Sequence, residues 1–257
     1  VAGTVLLYLP GAEDWRHKAQ ESRIVSRLTG AVTADRVMDT LGRIDPYLTL
    51  VGPAAGVPPP DPAIARNVRV RAARDSVVRI RGVACGAGIE GSGWIAGPGL
   101  VVTNAHVAAG IKDFFVDRGG GTPRHGFLVA FDPKDDVAVL RVPGLAGRAL
   151  PFGPGREGQA AATLGFPGNG PFTVRPARVG RTAKVTSRDA YGRIRLGREV
   201  VVFRGEIRGG SSGWPLVDGQ GRVAATVFAR RRGTDDGYAV PNSIVQTVLR
   251  SAGTQRV

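Results

Sequence analysis

At 257 residues, 42% of them hydrophobic and 22% charged, the chain has the composition of a soluble globular protein, long enough for one large domain or a domain with an appendage. A formal net charge of +14 brings nucleic acid and anionic surfaces into view, but the arginines are scattered and the densest run, Arg230-Arg231-Arg232, falls in an expected hairpin loop, so no nucleic-acid partner is expected. A single cysteine, Cys85, excludes a disulfide within the chain and a cysteine metal site, and three histidines, His17, His106 and His125, argue against a multi-histidine centre; no metal or organic cofactor is implied.

In chain order, the apolar run Val1 to Leu9 is far shorter than the roughly 20 residues of a membrane helix and lacks the basic flank of a signal peptide. It reads either as the end of a longer membrane helix cut by a fragment boundary or as a buried helix end or short strand. Glu13 to Ile44 reads as two helices, the first with Trp15, Ala19, Ile24, Val25 and Leu28 at near-helical spacing, the second with Val32, Val37, Met38, Leu41 and Ile44. Residues 1–50 therefore form a helical segment. Residues 51–65, with Gly52-Pro53, Pro58-Pro59-Pro60 and Asp61-Pro62, are expected as a semi-extended linker, because neither a helix nor a central strand accommodates them. Residues 66–257 alternate short strands with glycine-rich turns. The expected strands are Val77 to Val83, Gly93 to Ala96, Leu100 to Thr103, Phe127 to Phe131, Val137 to Val142, Ala160 to Leu164, Val200 to Ile207, Leu216-Val217, Val223 to Ala229 and Tyr238 to Val240. Ser243 to Arg250 reads as a closing helix with Asn242 as N-cap. Many short strands of this kind imply a sandwich or barrel.

Three segments carry chemistry: Val101-Val102-Thr103-Asn104-Ala105-His106-Val107, Asp132-Pro133-Lys134-Asp135-Asp136-Val137-Ala138-Val139-Leu140, and Gly209-Gly210-Ser211-Ser212-Gly213-Trp214-Pro215-Leu216. A serine hydroxyl needs a base to take its proton as it attacks, and an imidazole can accept that proton and return it. A carboxylate must hold the imidazole in one tautomer. Ser212, His106 and Asp136 suit these roles; Asp135 competes for the third, but strand alternation favours Asp136, directly before Val137. The oxyanion of a tetrahedral intermediate needs donors already in place, and the backbone N–H groups of Gly210 and Ser212 are the candidates.

These segments resemble the chymotrypsin-fold serine proteases, in the bacterial trypsin-like branch, over roughly Arg66 to Ser251. The resemblance implies an all-β fold of two six-stranded antiparallel barrels, about Arg66 to Leu150 and Phe152 to Val240, with the site in the cleft between them. A finer resemblance, to the MarP-like membrane-anchored proteases of actinobacteria, rests on Ala84-Cys85-Gly86, Gly91-Ser92-Gly93-Trp94, Leu164-Gly165-Phe166-Pro167-Gly168 and Val174-Arg175-Pro176-Ala177-Arg178. It implies an endopeptidase acting on peptides or proteins outside the cytoplasm, anchored through an upstream membrane segment, with a role in envelope stress or acid resistance. It further implies that Val227, Phe228 and Ala229 pair with the substrate backbone as an added strand. Glu206, Arg208 and Gly209 would line the pocket for the residue before the cleaved bond, with Ala239 beside Tyr238 as its far wall, and Glu206 would favour a basic residue there.

The chain departs from the family pattern at Trp214, which stands where a second glycine is usual; its indole must find space or distort the turn, and the alternative reading is a catalytically impaired binding module on the same scaffold. Ser211 cannot form the charge pair with a new N-terminus that activates digestive zymogens. The family's frequent disulfide from the Cys85 position has no partner cysteine here.

Overall fold

The computed structural model describes residues 43–44, 48–84 and 87–257. The readings of Val1 to Leu9, of the helices from Glu13, of His17 and of Cys85 lie outside the described residues. Arg43-Ile44, expected as the end of a helix, is instead a short strand, β1 (Arg43–Ile44).

Eight strands come before Leu150: β1, β2 (Leu48–Leu50), β3 (Val77–Ala84), β4 (Ala87–Gly97), β5 (Leu100–Thr103), β6 (Phe114–Asp117), β7 (Arg124–Asp132) and β8 (Val137–Arg141). Six follow: β9 (Ala160–Gly165), β10 (Thr173–Arg188), β11 (Arg195–Gly205), β12 (Pro215–Asp218), β13 (Val223–Arg231) and β14 (Asp236–Pro241). Antiparallel pairings link β4-β3-β6-β7-β8-β5 into a ring of six, closed by β5 on β4; a second ring runs β12-β9-β10-β11-β14-β13 and closes through β13 on β12. Two strands break the all-antiparallel expectation, since β1 lies parallel on β4 and β2 parallel on β13.

Strand alternation explains how the rings pack. In β8, Ala138 and Leu140 enter the interior of the first ring with Val78, Ile80 and Val116, while Val137 and Val139 face the other way. In β11, Val201 and Phe203 fill the second ring and Val200 and Val202 point outward. The outward residues meet in one cluster that draws Trp94, Val102 and Val137 from the first ring and Leu164, Val217 and Phe228 from the second. Burial of each such side chain stabilises the fold by about 1.5–3 kcal/mol. Trp94 ties the rings further, stacking edge-on against Phe152 at 5.4 Å and donating from Nε1 to Thr226 Oγ1 at 3.2 Å.

The proline-rich stretch is extended, as its prolines require, but it is strapped onto the second ring. Ala55 is fully buried and its N–H donates to Asp236 Oδ2 at 3.1 Å; Tyr238 Oη donates to the Pro53 carbonyl, and Arg204 Nη1 to that of Val57. Asn67, through its side-chain oxygen, then caps α1 (Val68–Ala72). A one-turn helix, α2 (Ala105–Ala108), follows β5, and α3 (Asn242–Arg250) closes the chain with Val245 and Val248 buried. Asn242 does not cap α3 from outside, as expected: it is the first helical residue, and its Nδ2 donates to the Gly153 and Val223 carbonyls. Among the described residues no helix is long and apolar enough to cross a membrane.

Candidate active site

The turn from β7 into β8 begins with Asp132, whose Oδ1 accepts from the N–H groups of Lys134 (2.9 Å) and Asp135 (3.0 Å). It ends on Asp136 at φ +61°, the only described non-glycine residue with positive φ. Aspartate is among the few residues that tolerate this region, and here it aims a fully buried carboxylate at α2. His106, on α2, donates its backbone N–H to Asp136 Oδ1 at 2.8 Å, and its Nδ1 lies 2.6 Å from Oδ2. A carboxylate only accepts, so Nδ1 carries the hydrogen and Nε2 is left as the base. Nε2 lies 2.9 Å from Ser212 Oγ. Asn104 Nδ2 holds the Asp136 carbonyl at 3.0 Å. Asp135 makes no contact with the imidazole; burial, then Asp132, raises its carboxyl above the ordinary value.

Ser212 sits in the turn between β11 and β12. Gly213 has φ +81°, and a Cβ there would lie 2.0 Å from the Ser92 carbonyl, so glycine alone fits. That closeness is used: Ser92 N–H donates to the Ser212 carbonyl at 3.1 Å, and Thr103 Oγ1 donates to the Ser92 carbonyl at 2.7 Å. The strand carrying Gly91-Ser92-Gly93 therefore clamps the turn of the opposite ring. The N–H groups of Gly210 and Ser212 meet no acceptor among the described residues. The Gly209 carbonyl accepts from Gly168 N at 3.2 Å, and among the described residues no peptide bond is cis. In a trans peptide C=O and N–H point oppositely, so Gly210 N–H is turned away from Gly168.

Trp214 neither plugs the cleft nor distorts the turn. Its indole is fully buried inside the second ring with Ala161, Val179 and Phe203, in space left by Gly165, where a Cβ would lie 2.1 Å from Nε1.

Several of the groups expected to contact a substrate are engaged within the protein. Val227 donates its N–H to the Trp214 carbonyl (2.8 Å), so that donor is not available to a substrate, and its carbonyl accepts from Gly213 N (2.9 Å). Phe228 is fully buried at a bulge in β13. Beyond it, Ala229 is covered by β2, facing Leu48 in parallel register. Glu206 is paired with both Arg175 and Arg208, and two cations on one carboxylate remove the reason to expect a basic preference. Ala239 packs in the core of the second ring, and Tyr238 is spent on Pro53 and buried, which raises its phenol above the ordinary value. His125 is exposed against Phe115.

Two residues near the site went unread in the sequence. Ser92 appeared only as part of a glycine-rich motif. Arg198, on β11, gave no signal at all, yet its guanidinium is buried and its Nη1 lies 3.9 Å from Asp136 Oδ2. Burial pushes Arg198 below its ordinary value, and Asp136 pulls it back.

Residues 91–225 match the trypsin-like peptidase domain. The chain belongs to the trypsin-like peptidase family. This trypsin-like peptidase is 39% identical over 181 residues to the serine protease Rv3671c of Mycobacterium tuberculosis, covering 68% of this chain and 45% of that protein. It is 30% identical over 175 residues to a probable periplasmic serine endoprotease, DegP-like, of Halomonas elongata, covering 64% of this chain and 36% of the relative. The chain thus spans about half the length of the mycobacterial relative, or less of the other. The crystal structure of the active form of the Rv3671c protease superposes with a TM-score of 0.76 at 37% identity, covering 80% of this chain and 93% of that one. Its inactive form gives 0.68 at 35%, with coverage of 77% and 99%. The resemblance to the MarP-like proteases and the chymotrypsin-like, mostly β fold both stand.

Proposed function

We propose that the chain hydrolyses peptide bonds through an acyl-enzyme, with Ser212 as nucleophile, His106 as general base and then acid, and Asp136 as the group that orients His106. The single observation that carries the reading is the unbroken relay from Ser212 Oγ to Nε2 at 2.9 Å and from Nδ1 to Asp136 Oδ2 at 2.6 Å. As Oγ attacks the carbonyl carbon, its proton passes to Nε2 and the imidazolium is held by Asp136. The oxyanion that develops is received by the free N–H groups of Gly210 and Ser212. The proton then goes to the leaving amine, and water repeats the sequence on the ester. The closer superposition on an active form than on an inactive one supports this arrangement. Residues 66–257 form the peptidase unit in this reading, joined through 51–65 to the residues before it.

The description of the Halomonas relative as periplasmic supports action outside the cytoplasm, and the likeness to the MarP-like proteases extends the proposal to an anchored enzyme serving envelope stress or acid resistance. The test is a fluorophosphonate probe. Labelling of the wild type that disappears in Ser212→Ala and in His106→Ala is the expected result; a wild type that never labels removes the hydrolase reading and leaves a binding module.

A further inference from the structure

Arg198 belongs to the second ring, but its charge is spent on the first. Its side chain is about 1% exposed, as is that of Asp136. Nη2 donates to the Arg188 carbonyl at 3.0 Å, the guanidinium lies over the Phe228 ring at 5.2 Å, and neither Nε nor Nη1 has a hydrogen-bond partner. A buried cation so poorly solvated is costly unless a charge answers it. The answering groups are Asp136, Asp135 and Asp132 on the β7–β8 turn, with Lys134 beside them, and Asp189 on the β10–β11 hairpin. Of these, Asp136 acts most strongly, and it is the carboxylate that binds His106.

The 3.9 Å separation decides what Arg198 can do. It exceeds hydrogen-bond reach, so Arg198 does not compete with Nδ1–H for Oδ2. Coulomb attraction falls only as the inverse of distance and stays strong in a site closed to water. Arg198 therefore holds the carboxylate by charge while leaving both oxygens to His106.

We infer that Arg198 is a positioning residue for the proposed hydrolysis: from the second ring its buried cation fixes the Asp136 carboxylate behind His106. The inference rests on the peptidase reading of the site. The experiment compares the full chain with Arg198→Gln, Arg198→Met and Arg198→Lys, each checked for folding by near-ultraviolet circular dichroism, and reads separately the maximal rate of Ser212 labelling by a fluorophosphonate and the probe concentration that gives half that rate. In the neutral variants the maximal rate slows about tenfold while the half-rate concentration stays at the wild-type value, and Arg198→Lys retains the wild-type rate. Equal maximal rates in a folded neutral variant and the wild type overturn the inference, as does an equal slowing in Arg198→Lys. Failure of both neutral variants to fold also overturns it, making Arg198 a structural clamp. A wild type that does not label instead overturns the peptidase reading itself.

Discussion

The indole of Trp214 and the hydroxyl of Ser212 are two residues apart and serve opposite sides of the same backbone. Gly213 turns the chain between them, so Ser212 faces the cleft while Trp214 enters the second ring against Gly165. Had the indole blocked the site, shrinking it would raise activity. Its burial predicts the reverse: Trp214→Ala leaves a large cavity and costs about 3–5 kcal/mol in denaturant unfolding, with no gain in fluorophosphonate labelling. A stable variant that labels faster than the wild type would restore the blocked-site reading. The Trp214 Nε1–H is buried without a hydrogen-bond partner, which trims the loss without changing its sign.

Among the elements, β2 has the sharpest consequence. It lies parallel on the edge of β13 beyond the Phe228 bulge, the edge an extended substrate would need, and Leu50 accepts from Arg232 N at 2.8 Å. In a strand the N–H and C=O of one residue point the same way, so Leu50 N–H also faces β13. Leu50→Pro removes that donor and loosens the strand. The expected outcome is a fall in KM for an extended peptide by about five- to tenfold, the worth of one or two hydrogen bonds, with kcat little changed; an unchanged KM would show that β2 does not occupy the substrate's place. None of this was legible in the sequence, because a parallel pairing between Leu48–Leu50 and Ala229–Arg231 leaves no local pattern. The apolar strands were legible, β8 and β13 above all. The 16-residue β10 was not, since Pro176 and a run of arginines disguise a strand whose buried side chains alternate only intermittently. The triad was readable because each member sits in a short motif whose chemistry dictates its neighbours. Arg198 was hidden because its value lies in a contact 62 residues away in sequence from Asp136.

For the whole molecule, the division of labour between rings sets how it should unfold. His106 and Asp136 come from one ring and Ser212 from the other, and the core between them is shared. Trp94, Val102 and Val137 pack with Leu164, Val217 and Phe228. Ser92 holds the Ser212 carbonyl across the cleft, Trp94 reaches Thr226, and Arg198 reaches Asp136. Neither ring can open without exposing this cluster and stranding a buried charge, so the two should melt together although each closes its own hydrogen-bonded circle. Thermal unfolding followed by tryptophan fluorescence, far-ultraviolet circular dichroism and loss of Ser212 labelling is expected to give coincident transitions. Trp94→Phe removes the bond to Thr226 and leaves its hydroxyl buried, costing about 1–3 kcal/mol. It should lower the midpoint of all probes equally, keeping one transition. Separate midpoints, with labelling lost before the fluorescence changes, would mean that the rings are independent units that merely touch, and that the cleft is assembled by weak docking.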